Sequence, residues 1–287
     1  MVKIDLITGF LGSGKTTFIK KYAKYLIDQG ENIGILENDY GAVNVDMMLL
    51  KDLEGENCEL EMIAGGCDAD CHRRRFRTKL IAMGMCGYDR VIVEPSGIYD
   101  VDEFFDVLRD DPIDRWYEIG NVITVVDAKL EEKLSDEADY LLASEAANAG
   151  CIVLSRSQEA SEKEIENTVS HLNAAMEKVQ CKRRFKDEIV VKDWTAFDEA
   201  DYETFLSCGY VPENYRKMHI EEGETFKSLY FMNLDKTTDE IIEAAKHILE
   251  DKECGRVFRV KGFLKDEAGE WLELNATHQE MRICPIP

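Results

Sequence analysis

The stretch Gly9-Phe-Leu-Gly12-Ser13-Gly14-Lys15-Thr16-Thr17 follows the apolar run KIDLIT (3–8) and opens a helical pattern over roughly 16–28. Glycines at these positions let the backbone take conformations closed to other residues, so several N–H groups can point at one anion. The helix that begins there adds its partial positive end. The spacing G-x-x-x-x-G-K-[ST], after a strand and before a helix, is that of a loop that cradles phosphate. In such a loop Lys15 reaches the β- and γ-phosphates, and the Thr16 hydroxyl holds Mg²⁺. Gly9, Gly12, Ser13, Gly14, Lys15 and Thr16 are therefore the expected nucleotide-binding residues.

The rest of the chain fits a strand–loop–helix beginning of this kind. NIGILE (32–37), CELEMIAGG (58–66), RVIVE (90–94), NVITVVD (121–127), CIVLS (151–155) and EIVVKD (188–193) are short runs rich in Val and Ile. They lack polar alternation, as strands buried on both faces of a parallel sheet do. Helical stretches near 72–85 and 159–178 separate some of them. The rhythm predicts an α/β fold, a P-loop domain with a mostly parallel central sheet over 1–209. A polar linker is expected over 210–224. A small C-terminal α+β domain follows over 225–287: TFKSLYFM, a helix over roughly 238–251, then GRVFRVKGFLKD and EWLELN joined as a hairpin.

Composition narrows the function. Of 287 residues, 35 are Lys or Arg and 58 are Asp or Glu, a formal charge of -23. Such a field repels phosphate polymers and acidic membranes, so nucleic acid and membrane are not expected partners. A phosphate can still be bound by local backbone. No apolar run approaches the roughly 18 residues of a membrane span, and MVKIDLITG has no charged leader ahead of a long apolar run. A cytoplasmic location is expected. The nine cysteines then read mostly as free thiols, several of them, Cys151 among these, as small packing residues.

Carboxylates at strand ends are candidates for metal and water chemistry. Glu94 ends RVIVE and precedes Pro-Ser-Gly, at the edge where such folds hold Mg²⁺. Asp39, after NIGILE, is placed to order with nucleotide as a switch. Asp46 suits the same role or a helix cap, and Asp127 ends another central strand. A second cluster is GGCDADCHRRR (65–75). Cys67 and Cys71 are four apart, a spacing that puts both on one helical face, with Asp70 and His72 beside them. Thiolates with a histidine or carboxylate suit Zn²⁺ or another borderline-soft ion. Two free thiols at a helix start is the plainer alternative. The arginines that follow read either as anion ligands or as a solvated helix face.

Taken in order, TGFLGSGKTT, ENDYG…VD (37–46), GGC, VEPSG and SLYF…VFRVKGFL…WLEL resemble the CobW-like P-loop GTPases. That family is linked to metal cofactor assembly, zinc handling and cobalamin-related metabolism. The resemblance implies a domain that binds GTP with Mg²⁺, hydrolyses it slowly and couples hydrolysis to metal delivery. It implies Lys15, Asp39 and Glu94 as catalytic residues, with Thr16 and Glu94 on Mg²⁺ and Thr17 beside Gly12 and Gly14 in the phosphate site. It also implies a client metalloprotein or cofactor-assembly enzyme as partner; a homodimer is left open.

The chain departs from the family pattern at three places. Asp39 stands where the family usually has glutamate, one methylene longer. Ser155-Arg156-Ser157-Gln158 replaces the guanine-reading Asn-Lys-x-Asp, which leaves GTP and ATP both open as the nucleotide. Cys67-x-Ala69-Asp70-Cys71 replaces Cys-x-Cys-Cys, so the metal set is expected to include Cys67, Cys71, Asp70 and His72. Two alternatives remain beside slow hydrolysis: a nucleotide-gated regulatory protein with little turnover, and a small-molecule kinase with the arginines of 72–77 as a lid.

Overall fold

The computed structural model describes residues 1–39, 45–64, 69–96, 101–186, 188–218, 229, 231, 234–255, 257–266, 268–278 and 280–285. The chain divides into two compact units, Met1–Phe226 and Lys227–Pro287.

In the first unit the elements run β1 (Val2–Thr8), α1 (Lys15–Asp28), β2 (Ile33–Asp39), α2 (Val45–Leu49), β3 (Cys58–Ala64), α3 (Ala69–Met83), β4 (Arg90–Pro95), α4 (Val101–Leu108), α5 (Ile113–Trp116), β5 (Tyr117–Asp127), α6 (Asp136–Ala147), β6 (Cys151–Ser155), α7 (Glu162–Lys178), β7 (Ile189–Val190) and α8 (Glu199–Ser207). The seven strands form one sheet in the order β3-β2-β4-β1-β5-β6-β7, with every pair parallel. The order reverses around β1, and the strands' carboxyl ends share one edge: Thr8 is level with Thr124, and Asp127 with Ser155. That edge, at a reversal of strand order, is where open α/β sheets bind ligands.

Helix α1 packs on the sheet below this edge. Phe18, Ile19, Tyr22, Ala23 and Leu26 recur at helical spacing and are fully buried against Ile7, Ile35, Ile92, Ile123, Val125 and Val153 of five strands. Beneath this core lies a polar pin. Asp5, wholly buried in β1, accepts from Tyr22 Oη and Arg90 Nη1, each at 2.7 Å, and from the Asn121 backbone N–H, also at 2.7 Å. The pin joins β1, α1, β4 and β5.

The observed elements differ from the sequence reading in physically legible ways. Helix α7 starts at Glu162, because Ser161 caps it and Glu164 reaches back in a capping box. The run EIVVKD yields only two strand residues. Lys192 turns to pair with Asp198 and Asp201, and Asp193 caps a 3₁₀ turn over Trp194–Ala196. Helix α6 gave no amphipathic signal, since Ala138 through Ala147 are all buried and no polar stripe exists. Residues past 209 run along this unit: Val211 N–H bonds the Asn148 carbonyl at 3.1 Å, and Arg216 N–H the Val179 carbonyl at 2.7 Å.

The second unit carries α9 (Thr238–Glu250) and three antiparallel strands, β8 (Val260–Lys265), β9 (Trp271–Ala276) and β10 (Met281–Pro285), in the order β10-β9-β8. Its core is Ala245, Leu249, Leu264, Leu274 and Ala276. The expected β8–β9 hairpin is present; β10 was not foreseen. The expected strand TFKSLYFM lies almost wholly outside the described residues. Among the described residues, no helix is long and apolar enough to cross a membrane.

Candidate functional site

The loop between β1 and α1 has the geometry its glycines require. Gly9, Gly12 and Gly14 have φ of 144°, 78° and 102°. At Gly9 a Cβ would also stand 2.2 Å from the Val125 carbonyl oxygen, so the loop lies against β5 backbone and tolerates no side chain there. Lys15 is buried and donates to the Gly9 carbonyl at 2.7 Å, curled over the loop it belongs to. Thr16, the next residue of α1, donates its hydroxyl to Glu94 Oε1 at 3.0 Å. Both are nearly out of water, at 8% and 4% exposure. The hydroxyls of Thr8 and Ser13 are also buried, and neither has a hydrogen-bond partner among the described residues. Thr17 is exposed.

Oxygen donors thus converge at one edge around the first turn of α1. A hydroxyl beside a carboxylate, among hydroxyls lacking a protein partner, is the donor set a hard cation with several waters takes. The loop above them turns tightly, with the Ser13 N–H bonded to the Phe10 carbonyl at 3.1 Å and glycines at φ values closed to other residues. The residues fit a Mg²⁺–triphosphate pair.

Two residues at this edge stand in the ENDYG stretch, but the sequence reading gave neither a role of its own. Glu37 of β2 is level with Glu94 of β4 in register, so the two carboxylates stand on the same face of neighbouring strands. Glu37 is 3% exposed. Its signal was available, since it ends an apolar run just as Glu94 does. The second is Asn38, wholly buried with no partner for either side-chain amide atom among the described residues. Asp39 is the last residue of β2, at the same edge; its side chain lies outside what the structure describes.

At the end of β6, Ser155 is buried with its hydroxyl unpartnered among the described residues. Arg156 follows with a left-handed φ of 53°. Its guanidinium pairs with Asp127 and reaches the Gly12 carbonyl at 3.4 Å, tying the loop after β6 to the phosphate loop. Burial raises the Asp127 carboxyl; Arg156 and the Lys129 N–H draw it back. Gln158 is exposed, its amide 3.4 Å from Glu159. Trp194 closes this side, donating its indole N–H to the Leu154 carbonyl at 2.9 Å. A Cβ on Gly14 would lie 3.4 Å from its ring and 3.6 Å from Ser155 Cβ. Sequence reading gave Trp194 no role.

The cysteine-rich segment is described only from its helix onward. Cys67 lies outside the described residues, as does the side chain of Asp70. Helix α3 begins at Ala69, so Cys71 is inside it. Cys71 is half-buried, and His72 is fully buried, where desolvation and then Arg75 lower its pKa to about 4. The imidazole is neutral at pH 7. Two of the arginines are engaged: Arg73 and Arg77 approach Asp110 at 3.9 and 3.7 Å, and Arg77 bonds the Asp111 carbonyl at 2.6 Å. These contacts join α3 to the segment after α4. Among the described residues, no group of three or more His, Cys, Asp or Glu side chains is placed to hold a metal ion.

The family profile described as CobW/HypB/UreG, nucleotide-binding domain, matches residues 3–186. The chain belongs to that family. Three curated relatives agree. Zinc chaperone YeiR of Escherichia coli K12 is 30% identical over 49% of this chain and 42% of its own length. Zinc chaperone YjiA of the same organism is 25% identical over 60% of this chain and 55% of its own. Zinc-regulated GTPase metalloprotein activator 1 of Schizosaccharomyces pombe is 26% identical over 54% and 39%. The chain therefore spans about half or less of the length of these relatives. Among solved structures, Zn(II)-bound YjiA GTPase from E. coli is similar over 99% of this chain and 88% of its own, at 16% identity and a TM-score of 0.43. The assignment of this CobW/HypB/UreG chain to the P-loop α/β class rests on its strand order and loop geometry.

Proposed function

We propose that the chain binds a nucleoside triphosphate with Mg²⁺, hydrolyses it slowly, and uses the cycle to time delivery of a metal ion to a client metalloprotein or cofactor-assembly enzyme. The observation that carries this reading is the buried Thr16–Glu94 contact of 3.0 Å beneath a complete phosphate loop. Lys15, released from the Gly9 carbonyl, turns to the β- and γ-phosphates. Thr16 and Glu94 hold Mg²⁺, which when bound neutralises charge between the phosphates. Glu94, with Glu37 level beside it, keeps acidic oxygens near the γ-phosphate where a water is oriented. Asp39, at the end of β2, is the switch acid. Gly12, Ser13, Gly14 and Thr17 complete the phosphate site, and Ser155, Arg156 and Gln158 border the base. GTP is favoured by the family, and ATP is admitted by Gln158.

The cargo is zinc or a similar borderline-soft ion. The relatives named zinc chaperones support this, and so does the chemistry of Cys67, Asp70, Cys71 and a neutral His72. A site this sparse suits transfer rather than storage. Engagement of Arg73 and Arg77 in the fold disfavours the kinase alternative.

The test combines two titrations. Lys15→Ala abolishes tight triphosphate binding, because the γ-phosphate loses its charge partner; unchanged affinity overturns the nucleotide reading. Zinc affinity is then measured with and without nucleotide in the wild type and in the double variant Cys67→Ser, Cys71→Ser. A double variant that binds zinc as well as wild type in both states removes the metal role of this segment.

A further inference from the structure

Asp127 ends β5 at the nucleotide edge, and the site proposed above gives its carboxylate no task. A bare carboxylate at that edge would repel phosphates. Its two oxygens are instead engaged within the protein. One accepts from the Lys129 N–H at 2.9 Å, and the other meets the Arg156 guanidinium. The Asp127 and Arg156 side chains are mostly out of water, at 17% and 16% exposure. Asp127 therefore serves Arg156 rather than a metal ion or a water. Arg156 in turn is held in a left-handed backbone conformation, φ 53°, that a residue with a Cβ keeps only where its neighbours fix it. The Ala128 N–H bonds the Ser155 carbonyl at 3.0 Å, and the Glu159 N–H bonds the Arg156 carbonyl at 3.0 Å, so the backbone is tied on either side.

The guanidinium leads on to the phosphate loop, which lies against the ends of these same strands. A Cβ on Gly9 would stand 2.2 Å from the Val125 carbonyl oxygen of β5, and one on Gly14 would stand 3.6 Å from Ser155 Cβ of β6. Between these two close approaches, Arg156 Nη2 donates to the Gly12 carbonyl at 3.4 Å. A trans peptide carries its C=O and the following N–H on opposite sides. With the Gly12 carbonyl turned to Arg156, the Ser13 N–H points the other way, and there it bonds the Phe10 carbonyl at 3.1 Å. One guanidinium thus sets the plane of the Gly12–Ser13 peptide, and that plane closes the turn of the loop.

We propose that Asp127 is a positioning residue for the phosphate loop: its carboxylate holds the Arg156 guanidinium against the Gly12 carbonyl and so fixes the Gly12–Ser13 peptide ahead of nucleotide binding. The inference rests on the nucleotide-binding reading above. It gives Asp127 no contact with the nucleotide and no part in reading the base. Without the carboxylate the guanidinium is free to turn to water, and the peptide plane is no longer held. The loop is then ordered by the ligand at the ligand's expense, which weakens binding.

The experiment measures Kd for Mg²⁺-GTP and Mg²⁺-ATP on the full chain, well below its melting temperature, in the wild type, Asp127→Asn, Arg156→Gly and the double variant. Asp127→Asn raises Kd about tenfold, the equivalent of one hydrogen bond to a charged group. The factor is the same for both nucleotides, because the effect passes through the phosphate loop. Arg156→Gly also weakens binding, and the double variant binds no more weakly than Arg156→Gly alone, since Asp127 acts through the guanidinium. Glycine takes the left-handed backbone at 156 without strain, so Arg156→Gly and the double variant carry the test if Asp127→Asn does not fold. Losses that add in the double variant overturn this inference, as does a loss confined to one nucleotide. A lowered melting temperature with Kd unchanged or tighter than wild type, the mark of a merely structural pair, overturns it as well. Each of these leaves the nucleotide reading intact. Absence of nucleotide binding in the wild type overturns both.

Discussion

Asn in place of Asp5 tests whether the polar pin beneath α1 holds the first unit together. Asp5 accepts four hydrogen bonds on two oxygens: Tyr22 Oη and Arg90 Nη1 on one, and the Asn121 N–H and Nδ2 on the other, the last at 3.2 Å. An amide has the same shape but one acceptor. Whichever way it flips, its NH₂ faces two donors, and Arg90 loses a buried counter-charge. Breaking a buried ion pair from one side costs about 3–5 kcal/mol. Arg90 keeps Glu31 at 3.1 Å, whose side chain is 31% exposed and so partly screened, which points to the lower end, about 3 kcal/mol. For a unit the size of Met1–Phe226, each kcal/mol lowers Tm by about 2–4 °C, so the expected fall is about 6–12 °C. The assay is urea and thermal unfolding followed by circular dichroism. A loss below about 1 kcal/mol, the worth of an ordinary hydrogen bond, refutes the reasoning. The double variant Asp5→Leu, Arg90→Met removes both charges and is expected to recover part of the loss, because no orphan charge remains.

The same pin shows what a sequence hides. The tight turn between β1 and α1 was legible, since glycine spacing sets its backbone and the flanking strand and helix fix its context. Glu94 was legible for the same reason, as an acid ending an apolar strand. Asp5 sits inside the run KIDLIT, where a lone carboxylate breaks the apolar pattern. Its partners are at positions 22, 90 and 121, and only the parallel order β4-β1-β5 brings them together. Helix α6 failed for the opposite reason: with every residue from 138 to 147 buried, it has no polar face to give a period. Glu37 needed register, because only the pairing of β2 with β4 sets it beside Glu94. Trp194 needed tertiary contact, since nothing in KDWTAF announces that an indole will rest beside Gly14 and bond the Leu154 carbonyl. Local chemistry reads from sequence; juxtaposition across strands does not.

Two further outcomes bear on turnover and on the base. Glu94→Gln keeps shape and removes charge from the Thr16 contact, so single-turnover hydrolysis slows while triphosphate affinity holds; unaltered turnover would make Glu94 a structural acid. Base selectivity is expected to be weak. Guanine presents N1–H and N2–H₂, which a carboxylate accepts together, and this chain has the neutral Gln158 at that position, exposed and bonded only weakly toward Glu159. The preceding Arg156 is committed to Asp127 and the Gly12 carbonyl, so it anchors the loop and offers guanine no acceptor. Loss of a charged bidentate acceptor removes on the order of 1.5–3 kcal/mol of preference, about tenfold or more. Competition binding with GTP and ATP measures the ratio directly. A GTP preference above roughly a thousandfold would show that another group reads the base.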